Sequence, residues 1–454
     1  MRIGRVLAFL VVLLFSATSA MAGGFRLPEA GAKAMGMGFA FTAQANDPSA
    51  IYFNPAGIVQ LEGQNVMIGL TYIRNNGAEF SGTTPLTFSA FGAPPTYTVQ
   101  SETQKDLDFF VPNAYWTRKA SPNFAYGVGL FVPFGLGQEY ENRDSSIFRN
   151  QVTKVEIQTY VINPTVAWKI NNVLSVGAGI DFMYGKAKLG QTGVVTLPPP
   201  GPPQLNLFKL DLDGDGTAWG YNVGILLTPT NNLKVGASFR SGFKLKISDA
   251  DVDLRDINST VPFVPVAPGV NVPASAVFGG TSFHTKASTT INMPATFDLG
   301  VAYIYNRLTL EVDLDWTFWS TFQSLAIDIS ANNALLPDAT RPEKWKDKMA
   351  VYLGAEYRVT DPLALRLGFR YDPTPVPANT MSPLLPDADK MYYCAGAGYK
   401  VRNWTFDLAY MYVDRKDRTV NNQQFVAPVS IGTGFNGTWS GNAHIVALDV
   451  GYKF

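Results

Sequence analysis

The chain has 454 residues, and its 36 Lys and Arg against 36 Asp and Glu leave no net charge, so nothing in the balance points to nucleic acid as a partner. Only 16% of residues are charged, well short of the roughly 25% usual in soluble proteins, while aromatics stand at 13% with 30 Phe and 20 Tyr. A single cysteine, Cys394, excludes an intramolecular disulfide, so the fold has to be held by backbone ladders and packing.

At the start, Arg2 and Arg5 precede an apolar run from Val6 to Phe15, followed by small residues ending in Ala20-Met21-Ala22. This pattern reads as a secretory signal peptide over residues 1–22, cleaved after Ala22. The run is too short to cross a bilayer, and no later segment is long and apolar enough to do so as a helix. An exported chain with few charges, many aromatics and no such helix points to a transmembrane β-barrel, whose lipid-facing residues occupy every second position. A soluble secreted β-sandwich is the alternative.

The stretch from Gly23 to Ile58 is neither strand nor long helix. Gly31, Gly36 and Gly38 weaken a helix, and Pro48 and Pro55 remove backbone donors. Yet Phe25, Phe39, Phe41, Ile51, Tyr52 and Phe53 give it too much apolar surface for a disordered tail, so it needs a cavity to pack into. Gly23-Gly24-Phe25, with the run Asn46-Asp47-Pro48-Ser49-Ala50-Ile51-Tyr52-Phe53-Asn54-Pro55-Ala56-Gly57, resembles the FadL family of outer-membrane long-chain fatty-acid transporters, which includes aromatic-hydrocarbon channels. The resemblance implies that residues 23–63 form a hatch plugging a barrel, with Asn54, Pro55 and Ala56 as its signature turn near the periplasmic side.

From Asn65 the chain alternates with strand period: Val66, Ile68, Leu70 and Tyr72 share one parity. Similar segments recur to the end, predicting an all-β, antiparallel transmembrane barrel of about 14 strands over residues 64–454, its lumen plugged by the N-terminal hatch. Short turns such as Asn171-Asn172, Asn306-Arg307 and Arg402-Asn403 alternate with long insertions, among them Thr192 to Asn206 with Pro198-Pro199-Pro200, and Asp249 to Thr290. That segregation fits periplasmic turns at one end and extracellular loops at the other. The final strand places Val446, Leu448, Val450, Tyr452 and Phe454 on one face and Ala447, Asp449, Gly451 and Lys453 on the other. Its terminal Phe454 resembles the signal by which the barrel-assembly machinery recognises such chains.

Several features carry candidate roles. In Phe131-Val132-Pro133-Phe134-Gly135-Leu136-Gly137, Pro133 has no backbone donor and Gly135 favours a bend, so the third strand is predicted to break and open a gap beside its neighbour. The resemblance implies the same: the family has an inward kink in this strand forming a side window, and Pro133, Phe134 and Gly135 fall there. Lys186 and Lys188 continue the outward parity of the strand holding Tyr184 to the extracellular rim, where they read as solvated rim lysines, the alternative being contact with lipopolysaccharide phosphates. Asp211-Leu212-Asp213-Gly214-Asp215-Gly216 copies the opening of a calcium loop, but position twelve is Asn222 and the flanks read as strand, so no metal is assigned. His284 and His444 have no metal-ligand partner at useful spacing, and no nucleophile motif accompanies them. We therefore assign no catalytic residue and no cofactor.

The resemblance returns at Leu314 to Ser324, at Trp345 to Arg358, and in the Pro-rich run after Tyr371. It implies that Arg341, just before Trp345-Lys346-Asp347, binds the substrate head group; the family's second basic position falls here at Gln191. The expectation is a monomeric outer-membrane transporter that binds long-chain fatty acids in apolar pockets and releases them laterally, in contact with outer-membrane lipid and lipopolysaccharide. Aromatic or alkane hydrocarbons are the alternative within the family. Outside it stand a general porin, which would need an open charge-lined lumen, an outer-membrane enzyme and a purely structural barrel.

Overall fold

Strand alternation over most of the chain means that no segment can satisfy its own backbone in lipid, and closure into a barrel is what pairs every ladder. The computed structural model describes residues 23–454 except 88–95, 197–203, 263, 268–269, 334 and 427–429. The expected signal peptide and Pro198-Pro199-Pro200 lie outside the described residues. Fourteen antiparallel strands form the wall. They are β1 (Gln64–Asn75), β2 (Leu107–Ser121), β3 (Phe124–Phe131, resuming as Gly135–Glu139), β4 (Lys154–Lys169), β5 (Leu174–Thr196) and β6 (Gln204–Thr230). There follow β7 (Leu233–Arg240 and Phe243–Arg255), β8 (Phe283–Met293 and Thr296–Tyr305), β9 (Leu308–Thr317) and β10 (Lys348–Arg358). The last four are β11 (Leu363–Asp372), β12 (Lys390–Val401), β13 (Trp404–Asn421) and β14 (Asn436–Lys453). β14 returns to β1 in antiparallel register, Tyr452 opposite Val66 and Leu448 opposite Leu70, and closes the barrel.

The wall is greasy outside and polar inside, as the alternation of the last strand requires: Val446 and Leu448 are exposed while Asp449 is 1% exposed. Exposed Trp168, Tyr305, Tyr357, Tyr399 and Trp404 lie at the short-turn end, and Tyr184, Trp219 and Tyr221 lie towards the other. Such aromatic girdles mark the two membrane interfaces. The tight turns at Asn306-Arg307 and Arg402-Asn403 each place one residue at φ 53°, the left-handed geometry that two-residue hairpins demand.

Beyond the outer girdle the strands run further than the sequence suggests. Most of Thr192 to Asn206 is not loop: β5 and β6 stay paired out to Thr196 opposite Gln204. The insertion Asp249 to Thr290 likewise holds strand to Arg255 and again from Phe283, with a short helix at Ala274–Phe278. Polar alternation outside the membrane pairs as well as apolar alternation within it, and Pro and Gly clusters mask this in the sequence. Asp211, Asp213 and Asp215 accordingly share one outer strand face, where alternate residues must lie. Asp213 pairs with both Lys186 (3.1 Å) and Lys188 (3.2 Å), so these lysines are not free rim cations.

Residues from Gly23 to Val59 fill the lumen, and all but Lys33, Asn46 and Asp47 are buried. This hatch contains only short helical turns, at Ala32–Gly36, Ala50–Phe53 and Pro55–Gln60, so many of its backbone donors lack internal partners. A buried amide without a partner is costly, and inward carboxylates of the wall supply the acceptors. Asp313 accepts from the amides of Phe41 and Thr42 at 2.9 Å each, and Glu311 from Ala43 at 2.6 Å. Asp449 accepts from Ala32 at 2.6 Å and Asp372 from Gly23 at 2.9 Å. Arg26 is ion-paired with Asp315.

Candidate functional site

The signature turn seats in a slot made by two glycines. Asn54, fully buried, accepts from Ala56 N with its side-chain oxygen (3.2 Å) and donates to the carbonyls of Thr42 (2.9 Å) and Ile225 (3.0 Å). Gly177 of β5 and Gly224 of β6 face each other in register. A Cβ on Gly224 would lie 2.1 Å from Asn54 Oδ1, and one on Gly177 would lie 2.4 Å from Ala56 N, so the turn fits only because both positions lack side chains. A second pair, Gly354 and Gly368, admits Met37 and Gly38 in the same way.

β3 breaks after Phe131, where the sequence places Pro133, Phe134 and Gly135. It pairs with β2 only as far as Leu130 opposite Ala114. Residues Leu107 to Asn113 of β2 keep their β1 partners, but among the described residues they have none on the β3 side. The strands meet again where Lys105 N donates to Glu139 O at 2.8 Å. Within this window the hatch takes the neighbour's place: Leu27 N donates to Pro133 O and Gly135 N to Phe25 O, both at 2.8 Å. Thr159 of β4 serves Phe134 twice, accepting from its amide (3.1 Å) and donating to its carbonyl (2.6 Å). The gap is not a hole, because Val111, Phe131, Phe134 and Leu136 are buried across it.

Outside the membrane, the extended β5–β6 hairpin, the β3–β4 connection and the β9–β10 loop enclose two adjoining cavities of about 390 and 380 Å³. Both are within the size range of small-molecule sites. They share Asn150, Leu189, Gln191, Ile327 and Ala339, so they form one elongated groove. One half is walled by Leu207, Phe208, Leu212 and Leu336; the other ends at Arg341, Gln151 and Asn422. Arg341 and Gln191, singled out separately, thus line one space.

Arg341 stands on the short strand Ala339–Pro342, which pairs with Ser324–Ile329. Its side chain is 28% exposed and its Nε lies 3.6 Å from Oε1 of Glu343. Burial lowers the guanidinium's pKa, and the Glu343 carboxylate opposes that effect. Burial raises the Glu343 carboxyl above the usual carboxylate range, against the pull of Arg341 and of the Trp345 hydrogen bond. Glu343 was missed in the sequence because nothing in Arg341-Pro342-Glu343 distinguishes a buried pair from two solvated loop charges.

Trp345 connects this end of the groove with the hatch. Its ring lies 5.6 Å from Phe25, which also packs on Trp319 (4.8 Å), Phe322 (5.6 Å) and Phe134 of the broken strand (6.0 Å). At the chain end, Phe454 is 67% exposed beside Tyr452, with its amide bonded to Gln64 O. His284 pairs with Asp253 and His444 with Tyr410. Among the described residues no group of His, Cys, Asp and Glu is arranged to hold a metal.

The sequence profile of the family described as outer membrane protein transport protein (OMPP1/FadL/TodX) matches residues 13–454. The long-chain fatty acid transport protein of Escherichia coli K12 is 25% identical over 467 residues, covering 94% of this chain and 97% of the relative. Outer membrane protein P1 of Haemophilus influenzae is 24% identical, covering 97% of each. Among solved structures, a Pseudomonas aeruginosa FadL homologue superposes with TM-score 0.78 at 20% identity, covering 95% of this chain and all (100%) of its own. The Ralstonia pickettii toluene transporter TbuX gives 0.62 at 18% identity, covering 93% of this chain and 98% of its own.

Proposed function

The chain belongs to the FadL/TodX family of outer-membrane transport proteins, and we propose that within it this protein takes up molecules of the long-chain fatty-acid class. The substrate binds in the extracellular groove with its polar end at Arg341, and it leaves sideways into lipid at the broken strand. The observation that carries this reading is one run of contacts: Arg341 to Glu343, Glu343 to Trp345, Trp345 to Phe25, and Phe25 to Phe134 at the break. A groove so connected can report its occupancy to the hatch segment that seals the window.

Three further points support it. The groove is long, is lined by Leu207, Phe208, Leu212 and Leu336 in one half and carries its charged group, Arg341, in the other, which suits an alkyl chain with a head. The lumen is filled, so a general porin is disfavoured. Sideways release keeps each CH₂ out of water, about 0.8 kcal/mol per group. The aromatic cluster Phe25, Trp319, Phe322 and Trp345 favours a second reading, uptake of an aromatic hydrocarbon.

Proteoliposomes test both. Faster entry of an oleate-type tracer than of a sugar of similar size is expected, with toluene as the arm for the second reading. Equal entry of tracer and sugar would defeat the transport proposal.

A further inference from the structure

We propose that the groove selects an uncharged head group carrying an O–H or N–H donor, and that Glu343 sets this preference by cancelling the charge of Arg341. The inference rests on the uptake reading above and names the chemical class within it: a fatty alcohol, a fatty amide, or a fatty acid in its protonated form.

Arg341 is the only charged side chain among the described residues lining the two cavities. It does not present a free positive charge. Glu343 lies 3.6 Å away and is 7% exposed as a residue. It is fixed there, because Trp345 Nε1 donates to its Oε2 at 3.0 Å. Thr380 Oγ1 donates to its backbone carbonyl at 2.5 Å, and its own amide donates to Gln323 O at 2.9 Å. An anionic head entering beside Arg341 therefore meets a guanidinium already paired with a carboxylate just behind the groove wall. The carboxylate offsets part of the guanidinium's attraction, while the cost of stripping water from the anion stays in full.

A second observation points the same way and does not involve charge. Asn150 lines both cavities, and its Nδ2 donates to the carbonyl of Gly432 at 3.2 Å, which fixes the direction of the amide. Its Oδ1 is buried and has no partner among the described residues. An unmet buried acceptor is satisfied by a donor and repels a carboxylate. A hydroxyl or amide head offers what both groups need: a lone pair towards the Arg341 guanidinium and a proton towards Asn150.

The test uses the full-length protein in lipid nanodiscs with four ten-carbon probes: decanol, decanamide, decanesulfonate, which is anionic at every working pH, and decane. Decanol and decanamide are expected to bind about tenfold or more tighter than decanesulfonate and decane, the range of a good hydrogen bond to a charged group. Glu343→Gln should raise decanesulfonate affinity about tenfold and leave decanol within about twofold. Adding Arg341→Gln to that variant should remove the gain, which separates released charge from a general change in the loop. Asn150→Leu should bring decanol towards decane and, by removing a repelling acceptor, tighten the sulfonate somewhat. Tighter wild-type binding of decanesulfonate than of decanol, or a Glu343→Gln variant with unchanged selectivity, overturns the inference and leaves the uptake reading standing. Failure of all four probes to bind overturns both.

Discussion

Trp345 donates its indole N–H to Oε2 of Glu343 at 3.0 Å, and this bond holds the carboxylate beside Arg341. Because burial raises the Glu343 pKa, its charge is present above that raised value and is lost as pH falls through it. Below it Arg341 is uncompensated, so the sign is fixed: decanesulfonate should bind more tightly as pH falls, with the step lying above about 4.3, the ordinary glutamate value. Trp345→Phe removes a bond that favours the ionised form, so the midpoint should move to higher pH. Glu343→Gln should abolish the step. Calorimetric titrations across this range check all three; a wild-type affinity independent of pH would show that Glu343 does not control the charge of the groove.

The hatch turn allows a comparison of two kinds of damage at one place. Asn54→Ala leaves the carbonyls of Thr42 and Ile225 without their donor, which should cost about 2 kcal/mol. Gly224→Val instead drives a side chain into the position of Asn54 Oδ1, only 2.1 Å from where its Cβ must sit. Hydrogen exchange should speed up about thirtyfold for hatch amides in Asn54→Ala, with the barrel ladders unchanged. It should speed up further in Gly224→Val. Slow exchange of the hatch in both would mean that this turn does not anchor it.

Deleting residues 23–59 removes the material that fills the lumen but leaves β1 and its closure with β14 intact. The expected product is a folded barrel whose conductance in a planar bilayer rises from a closed baseline to that of an open pore. The inward carboxylates Glu311, Asp313 and Asp315, now without hatch partners, should make it cation-selective. Anion selectivity, or no conductance from a folded barrel, would contradict this account of the lumen.

Much of this architecture was legible because strand alternation is a local signal. Val446, Leu448 and Asp449 state their faces in the sequence and adopt them in the barrel. The break at Pro133 was legible for the same reason: a missing donor is a property of one residue. The long β5–β6 hairpin was not, since Thr192 to Asn206 reads as loop when Pro and Gly are counted and the partner strand is unknown. Glu343 was hidden because its role depends on Trp345 and Thr380, and the latter stands on a different loop. Pairings such as Gly177 with Gly224 exist only once register is fixed, so no inspection of single glycines singles them out.

The broken strand allows the most direct test of the exit. Pro133 and Gly135 keep β3 off β2: the first lacks a donor for the ladder, and the amide of the second is given to Phe25 O of the hatch. The β2 stretch from Leu107 to Asn113 is thereby left without a β3 neighbour among the described residues. Replacing both residues, Pro133→Val and Gly135→Val, restores the donor and two strand-favouring side chains, so β3 can run on alongside β2. Two hatch bonds are lost, those of Leu27 with Pro133 O and of Gly135 with Phe25 O, and new ladder bonds offset them. The variant should fold, bind decanol at its extracellular groove within about twofold of wild type, and lose uptake, because neither altered residue lines either cavity of the groove. Slowed amide exchange across residues 132–136 would confirm that the ladder has formed. If uptake then continues undiminished, the substrate does not pass between β2 and β3, and its path must lie through the lumen past a displaced hatch.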